Sequence, residues 1–186
     1  MSQQDLRPDP KVLLWATAAI AVVSVATLPW PEAVASVVLG VLMVAGADID
    51  ARTYLLPDLV TGGAVVCAIL AAPLLDRFDP WLSLAAAVAR AAGTAFVLAL
   101  VRWAYARLRG REGIGLGDIK LAAATGAWLP VEAIPLCFAL ATGGALVAVL
   151  LARLRGEDID PAAKVPFGAF LCPALWFTFY GITLRG

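Results

Sequence analysis

The feature that most constrains this chain is its series of long apolar runs. Seven stretches are dominated by Ala, Val, Leu, Ile and Gly, near residues 12–30, 33–50, 57–75, 81–106, 117–131, 133–152 and 166–184. Several approach the roughly 20 apolar residues that a helix needs to cross a bilayer. Hydrophobic residues make up 62% of the 186, against roughly 45–50% in soluble domains, and mean hydropathy is +0.88. Within hydrocarbon every backbone polar group has to bond inside its own segment or barrel. The reading is therefore an all-α fold, a polytopic membrane bundle of about seven transmembrane helices. Pro29-Trp30-Pro31, "LLDRFDP", "ARLRGREG" and "RLRGEDIDPAAK" punctuate the runs. With no long linker and no internal repeat, residues 1–186 read as a single membrane domain. Residues 1–32 form a tail and an extra helix, and residues 33–184 form a core.

Basic residues set the orientation of such a bundle. With seven spans, Arg7, Lys11, Arg52, Arg107, Arg109, Arg111, Arg153, Arg155 and Lys164 all fall on one side, and only Arg77 and Arg185 on the other. This predicts a cytoplasmic N-terminus and a C-terminus outside. The opening "MSQQDLRPDPK" lacks the pattern of a cleavable signal, so the first run is expected to stay as an anchor.

Composition also excludes chemistries. The net charge is zero, which gives no basic surface for nucleic acid. There is no histidine, which excludes Ser-His-Asp catalysis and His-ligated zinc. Cys67, Cys137 and Cys172 stand singly in apolar runs and read as small buried hydrophobes rather than metal or disulfide partners. No metal and no cofactor is expected.

Against this background the acids at the ends of two runs need a reason. A charge within hydrocarbon costs at least about 2.5–3.5 kcal/mol on insertion scales. Asp48 and Asp50 end the second run in "GADIDARTYLLPD", and Asp118 opens the fifth in "GIGLGDIKL". The topology puts both stretches at the same membrane face. They read either as interfacial loop acids paired with Arg52 and Lys120, or as a functional pair. Gly115 and Gly117 allow close backbone approach just before Asp118, which would sit at a helix N-terminus, where the dipole favours a carboxylate. Pro57 opens the third run, and Asp58 reads as a helix-start acid. Two carboxylates held together cannot both ionise cheaply, so they share a proton. The ionised member can then activate water while the protonated one polarises a carbonyl.

Three stretches resemble the type IV prepilin peptidases, a family of GxGD membrane aspartic proteases. "DARTYLLPDLVT" (50–61) is similar to the family's first catalytic stretch and "GIGLGDIKLAAATGAWLP" (113–130) to its Gly-x-Gly-Asp-x-Lys-Leu block. "KVPFGAFLCPALW" (164–176) is similar to its Pro-Phe-Gly-Pro-Phe-Leu segment, with Ala169 where a proline is usual. The resemblance covers about residues 33–184, making that core a peptidase core. It implies that Asp50 and Asp118 are catalytic. Asp50 is preferred to Asp48 for its spacing to Asp58. Lys120 is expected to be an interface anchor near Asp118, and Pro166, Phe167 and Gly168 to shape the site. The implied activity is a membrane aspartic endopeptidase that cuts the short basic leader from type IV prepilin or pseudopilin precursors. It would act at the cytoplasmic face of the bacterial inner membrane, as a multi-pass protein in the lipid bilayer. Gly143 and Gly144 are candidates for packing a substrate helix, or ordinary helix contacts. The paired CxxC motifs of larger members are missing, so N-methyltransferase activity is not expected.

The competing reading is a small transporter or ion-coupled carrier, in which intramembrane acids bind cations and Arg90, deep in the fourth run, belongs to a charge pathway. In the blander view, Arg90 pairs with an acid or snorkels. A scaffold subunit with acids for helix pairing is the third.

Overall fold

The computed structural model describes residues 7–76, 78–110, 113–156 and 165–185. Arg77, Arg111 and Lys164, three of the orientation-setting residues, lie outside the described residues. The described residues form seven α-helices: α1 (Pro10–Thr27), α2 (Trp30–Thr53), α3 (Asp58–Leu75), α4 (Pro80–Arg109), α5 (Leu116–Trp128), α6 (Ile134–Leu154) and α7 (Phe167–Thr183).

Local chemistry places the breaks. Asp9 caps α1 by accepting from Lys11 N, and Pro10 follows at the first helical position, where a missing N–H costs nothing. Pro29 ends the α1–α2 connection and serves as the N-cap of α2. Asp79 caps α4 through Leu82 N, and Gly110 closes it in the left-handed conformation at φ 66°. Helix α2 outruns its expected end at residue 50. It continues through both acids to Thr53 and is closed by left-handed Tyr54, φ 56°. Polarity marks the end of an apolar run, but a helix stops only where the backbone is capped.

Five helices, α1, α2, α3, α4 and α6, are long and apolar enough to cross a membrane. Helix α7 has 17 residues and α5 only 13. At 1.5 Å per residue α5 rises about 20 Å, short of the roughly 30 Å hydrocarbon core. The fifth run, expected to reach residue 131, ends as a helix at Trp128. It does not cross alone, and is instead wrapped by α3, α4, α6 and α7.

The core joins α2, α3, α5, α6 and α7 through Leu39, Met43, Ala64, Leu121, Cys137, Leu171 and Leu175, all buried. Cys137 and Cys172 are buried free thiols, and Cys67 is partly buried. Tryptophan and serine side chains tie several helices together. Trp128 Nε1 donates to Ala64 O at 2.9 Å. Trp176 Nε1 donates to Ser36 Oγ at 3.1 Å, which meets Ser24 Oγ at 2.8 Å, tying α7 and α1 to α2. The outer surface carries large apolar side chains such as Trp15, Trp81 and Phe96, as a lipid-facing wall requires.

Arg90 has a structural partner. Its Nε donates to Gly126 O at 3.2 Å, one of the carbonyls left open in the last turn of α5. The guanidinium thus closes a helix C-terminus inside the bundle. No carboxylate forms an ion pair with it among the described residues. Gly126 packs tightly against α4: a Cβ there would collide with the Arg90 carbonyl and the Thr94 hydroxyl. Overpacking against backbone costs about 1–3 kcal/mol. Gly126→Ala is therefore expected to lower the thermal midpoint of the detergent-solubilised protein by several degrees, read by scanning fluorimetry of the buried tryptophans.

Candidate active site

Asp48 and Asp50 are two residues apart in α2, about 200° around the helix axis, and so face opposite ways. Asp50 points inward and is only 4% exposed. Its Oδ2 accepts from Ala169 N at 2.9 Å, in the first turn of α7, where open amides and the helix dipole favour a carboxylate. Asp48 faces the start of α1. Its Oδ2 accepts from Arg52 Nη2 and from Asp9 N, both at 2.7 Å, and Arg52 Nη2 also donates to Arg7 O at 2.7 Å. Asp48 pins the start of α1 to the end of α2 and is occupied in doing so.

Asp118 lies in the first turn of α5, where its Oδ2 accepts from Gly115 N at 3.1 Å. Each acid therefore sits at the N-terminus of a helix, α7 for Asp50 and α5 for Asp118. Leu56 links the two: its side chain lies against the Gly117 position, next to Asp118, and against the Gly168 position, which also faces Asp50 Oδ2. Asp50 and Asp118, 68 residues apart in sequence, thus lie at the same end of the bundle, on either side of Leu56.

The glycines make this convergence possible. A Cβ on Gly117 would stand 3.0 Å from Leu56 Cβ. One on Gly168 would stand 2.7 Å from Leu56 Cδ1 and 2.9 Å from Asp50 Oδ2. A Cβ on Gly115 would press on the Asp118 carboxylate at 3.3 Å. Pro57 and Pro166 are the N-caps of α3 and α7, and Phe167 is the first residue of α7.

Lys120 and Asp58 do not reach the acids. Lys120 Nζ meets Asp58 Oδ1 at 2.5 Å, both side chains being largely exposed. This pair ties α5 to α3 at the same end. Exposed pairs contribute about 0–1 kcal/mol, so Lys120→Gln is expected to move the thermal midpoint by no more than a degree or two in the same fluorimetry. Of the two glycines weighed for substrate packing, Gly144 lies against Phe170, while a Cβ on Gly143 would meet nothing within 4 Å.

Three contributors escaped the sequence. Leu56 had no signal, being one leucine among many. The Ala169 amide is a backbone group, although its place two residues after Phe167 in a helix start was readable. The Asp9–Asp48–Arg52 latch joins residues 39 apart, beyond any local pattern.

A model of the type IV leader peptidase family matches residues 37–152, more than half of the chain, and both acids fall inside the match. The chain belongs to the type IV leader peptidase family. It is similar to prepilin leader peptidase/N-methyltransferases from several bacteria. That of Dickeya chrysanthemi is 39% identical over 130 residues, 70% of this chain and 44% of that protein. That of Aeromonas hydrophila is 34% identical over 165 residues, 88% and 54% respectively. That of Pseudomonas putida is 36% identical over 129 residues, 69% and 43%. The chain spans about half the length of these relatives. No solved structure matches it. The family match begins within α2 and ends within α6, so α1 and α7 lie outside it, although α7 supplies the amide that holds Asp50.

Proposed function

We propose that this chain is a membrane aspartic endopeptidase. In this reading it removes the short basic leader of type IV prepilin or pilin-like precursors at the cytoplasmic membrane face. The carrying observation is that Asp50 and Asp118 lie at the same end of the bundle, each at a helix N-terminus and each next to a glycine that packs on Leu56. Family membership supports the reaction class. The excess of basic residues at that end supports a cytoplasmic placement.

The chemistry needs only the two side chains. The pair shares one proton. The ionised carboxylate takes a proton from water as it attacks the scissile carbonyl, and the protonated one donates a hydrogen bond to the developing oxyanion. The proton then passes to the leaving amine, and the pair regains its single proton. The Ala169 and Gly115 amides hold the carboxylates in place and stabilise negative charge on them. Only the peptidase activity in the relatives' name is carried over to this chain, not methyl transfer.

Nothing specific favours an ion carrier. Arg90, the residue that suggested a charge pathway, is used in closing α5. The test is to incubate the purified chain with a synthetic precursor consisting of a basic leader followed by an apolar helix. One cut at the leader junction, seen by mass spectrometry, is expected. An uncut precursor in the presence of folded protein rejects the reading.

A further inference from the structure

Leu56 lies where the three helix ends of the site converge. It belongs to the short connection between α2 and α3, whose backbone is fixed at several points. Tyr54 is left-handed at φ 56°, Leu55 N donates to Thr53 Oγ1 at 3.3 Å, and Pro57 has the φ of −63° that its ring imposes. The result turns Tyr54 and Leu55 outward, both about half exposed, and Leu56 inward against the core. There its side chain lies over Gly117 at the start of α5, Gly168 at the start of α7 and Gly46 in α2. The same Gly168 position faces both Leu56 Cδ1 and Asp50 Oδ2. Cavities of about 690 and 670 Å³ open elsewhere in the bundle, and neither is lined by Asp50 or Asp118.

We propose that Leu56 is a positioning residue for the reaction: an apolar wedge that sets the spacing of the α5 and α7 N-termini, and hence of the two carboxylates, and shields Asp50 from water. This rests on the peptidase reading above. The physical case is one of volume. Two glycines without side chains leave a gap between two helix ends, and one leucine fills it. Close packing transmits any change in that volume to the backbone, and each backbone carries one acid within its first turn or holds the other by an amide. An unfilled gap next to a carboxylate also admits water.

Leu56→Ala, assayed in the full chain in detergent or proteoliposomes, is expected to lower kcat about tenfold or more, as misplacement of reacting groups does, with KM within about twofold of wild type. In the same variant, without substrate, a water-soluble carbodiimide should label Asp50 severalfold faster than in wild type, by peptide mass spectrometry against Asp58 as internal reference. Leu56→Met, which conserves volume, should restore both readouts. Should Leu56→Ala fail to accumulate in the membrane, Leu56→Val carries the same prediction at smaller size. Unchanged labelling of Asp50 overturns the wedge, and so does a rise in KM with kcat unchanged. The labelling arm needs no cleavage. A wild-type chain that cuts no precursor rejects the peptidase reading, while the labelling contrast still decides the wedge.

Discussion

Asp50→Asn and Asp118→Asn are each expected to reduce leader removal to background, a fall of at least about 10²–10⁴-fold, the usual contribution of general acid–base catalysis. The expectation follows from how the two carboxylates are held. Asparagine is nearly isosteric with aspartate and keeps an oxygen that accepts from Ala169 N or Gly115 N, so the helix starts remain capped. It can neither take a proton from water nor pass one to an amine. Because the pair acts as a unit, the double variant should be no worse than either single one. Asp48→Asn separates position from chemistry. Asp48 is two residues away on the opposite helix face and is bonded to Arg52 and Asp9, so its amide variant should keep most of the activity and lose a little stability. The measurement is the initial rate of leader removal from a purified precursor, with folding checked by tryptophan fluorescence. Either single variant cutting at the wild-type rate rejects the dyad. An inactive Asp48→Asn beside an active Asp50→Asn would move the catalytic role to the opposite face of α2.

How much of this was readable depended on the range of each interaction. The helices were legible because bilayer length and backbone satisfaction act locally along each run, and caps such as Asp9, Asp79 and Gly110 are short-range signals. Their ends were less so. Asp48 and Asp50 looked like the end of the second run, whereas α2 continues until Tyr54 turns left-handed. The fifth run was read as far as residue 131, although it holds only about eleven apolar residues after Asp118, and Pro130 follows closely enough that α5 stops at Trp128. The placement of Asp50 and Asp118 at one end of the bundle was legible because a carboxylate in an apolar setting is costly and the glycines beside it allow close packing. Lys120 was read as an anchor next to Asp118. Its partner proved to be Asp58, 62 positions earlier, which no spacing rule connects. Arg90 was read as part of a charge pathway, a partner for an acid or a snorkelling side chain, and its partner is a carbonyl left open at the end of α5. Leu56 is the extreme case: its identity is common, and its significance comes wholly from the two glycines that fold around it.

Gly168→Ala is expected to lower kcat about 100-fold, the scale of loss that a misplacement of roughly 1 Å brings to a reacting group, while leaving the bundle folded. The added methyl would fall 2.9 Å from Asp50 Oδ2 and 2.7 Å from Leu56 Cδ1, nearer than such atoms tolerate. Leu56 is on a connection that can yield a little. The carboxylate is held at its other end by α2, so relief comes by tilting Asp50 away from the Ala169 amide. The loss should appear in kcat, since nothing in the change touches a distant part of the precursor. Gly181→Ala on the same helix is the matched control, because a Cβ there would meet nothing within 4 Å. It should keep wild-type activity and gain up to about 0.5–1 kcal/mol from reduced backbone entropy in the unfolded chain. Equal rates for the two alanine variants would show that the space beside Asp50 is not under the constraint described. A Gly168→Ala variant that recovers activity when Leu56→Ala is added would show that the methyl acts by crowding Leu56 rather than by displacing the carboxylate directly.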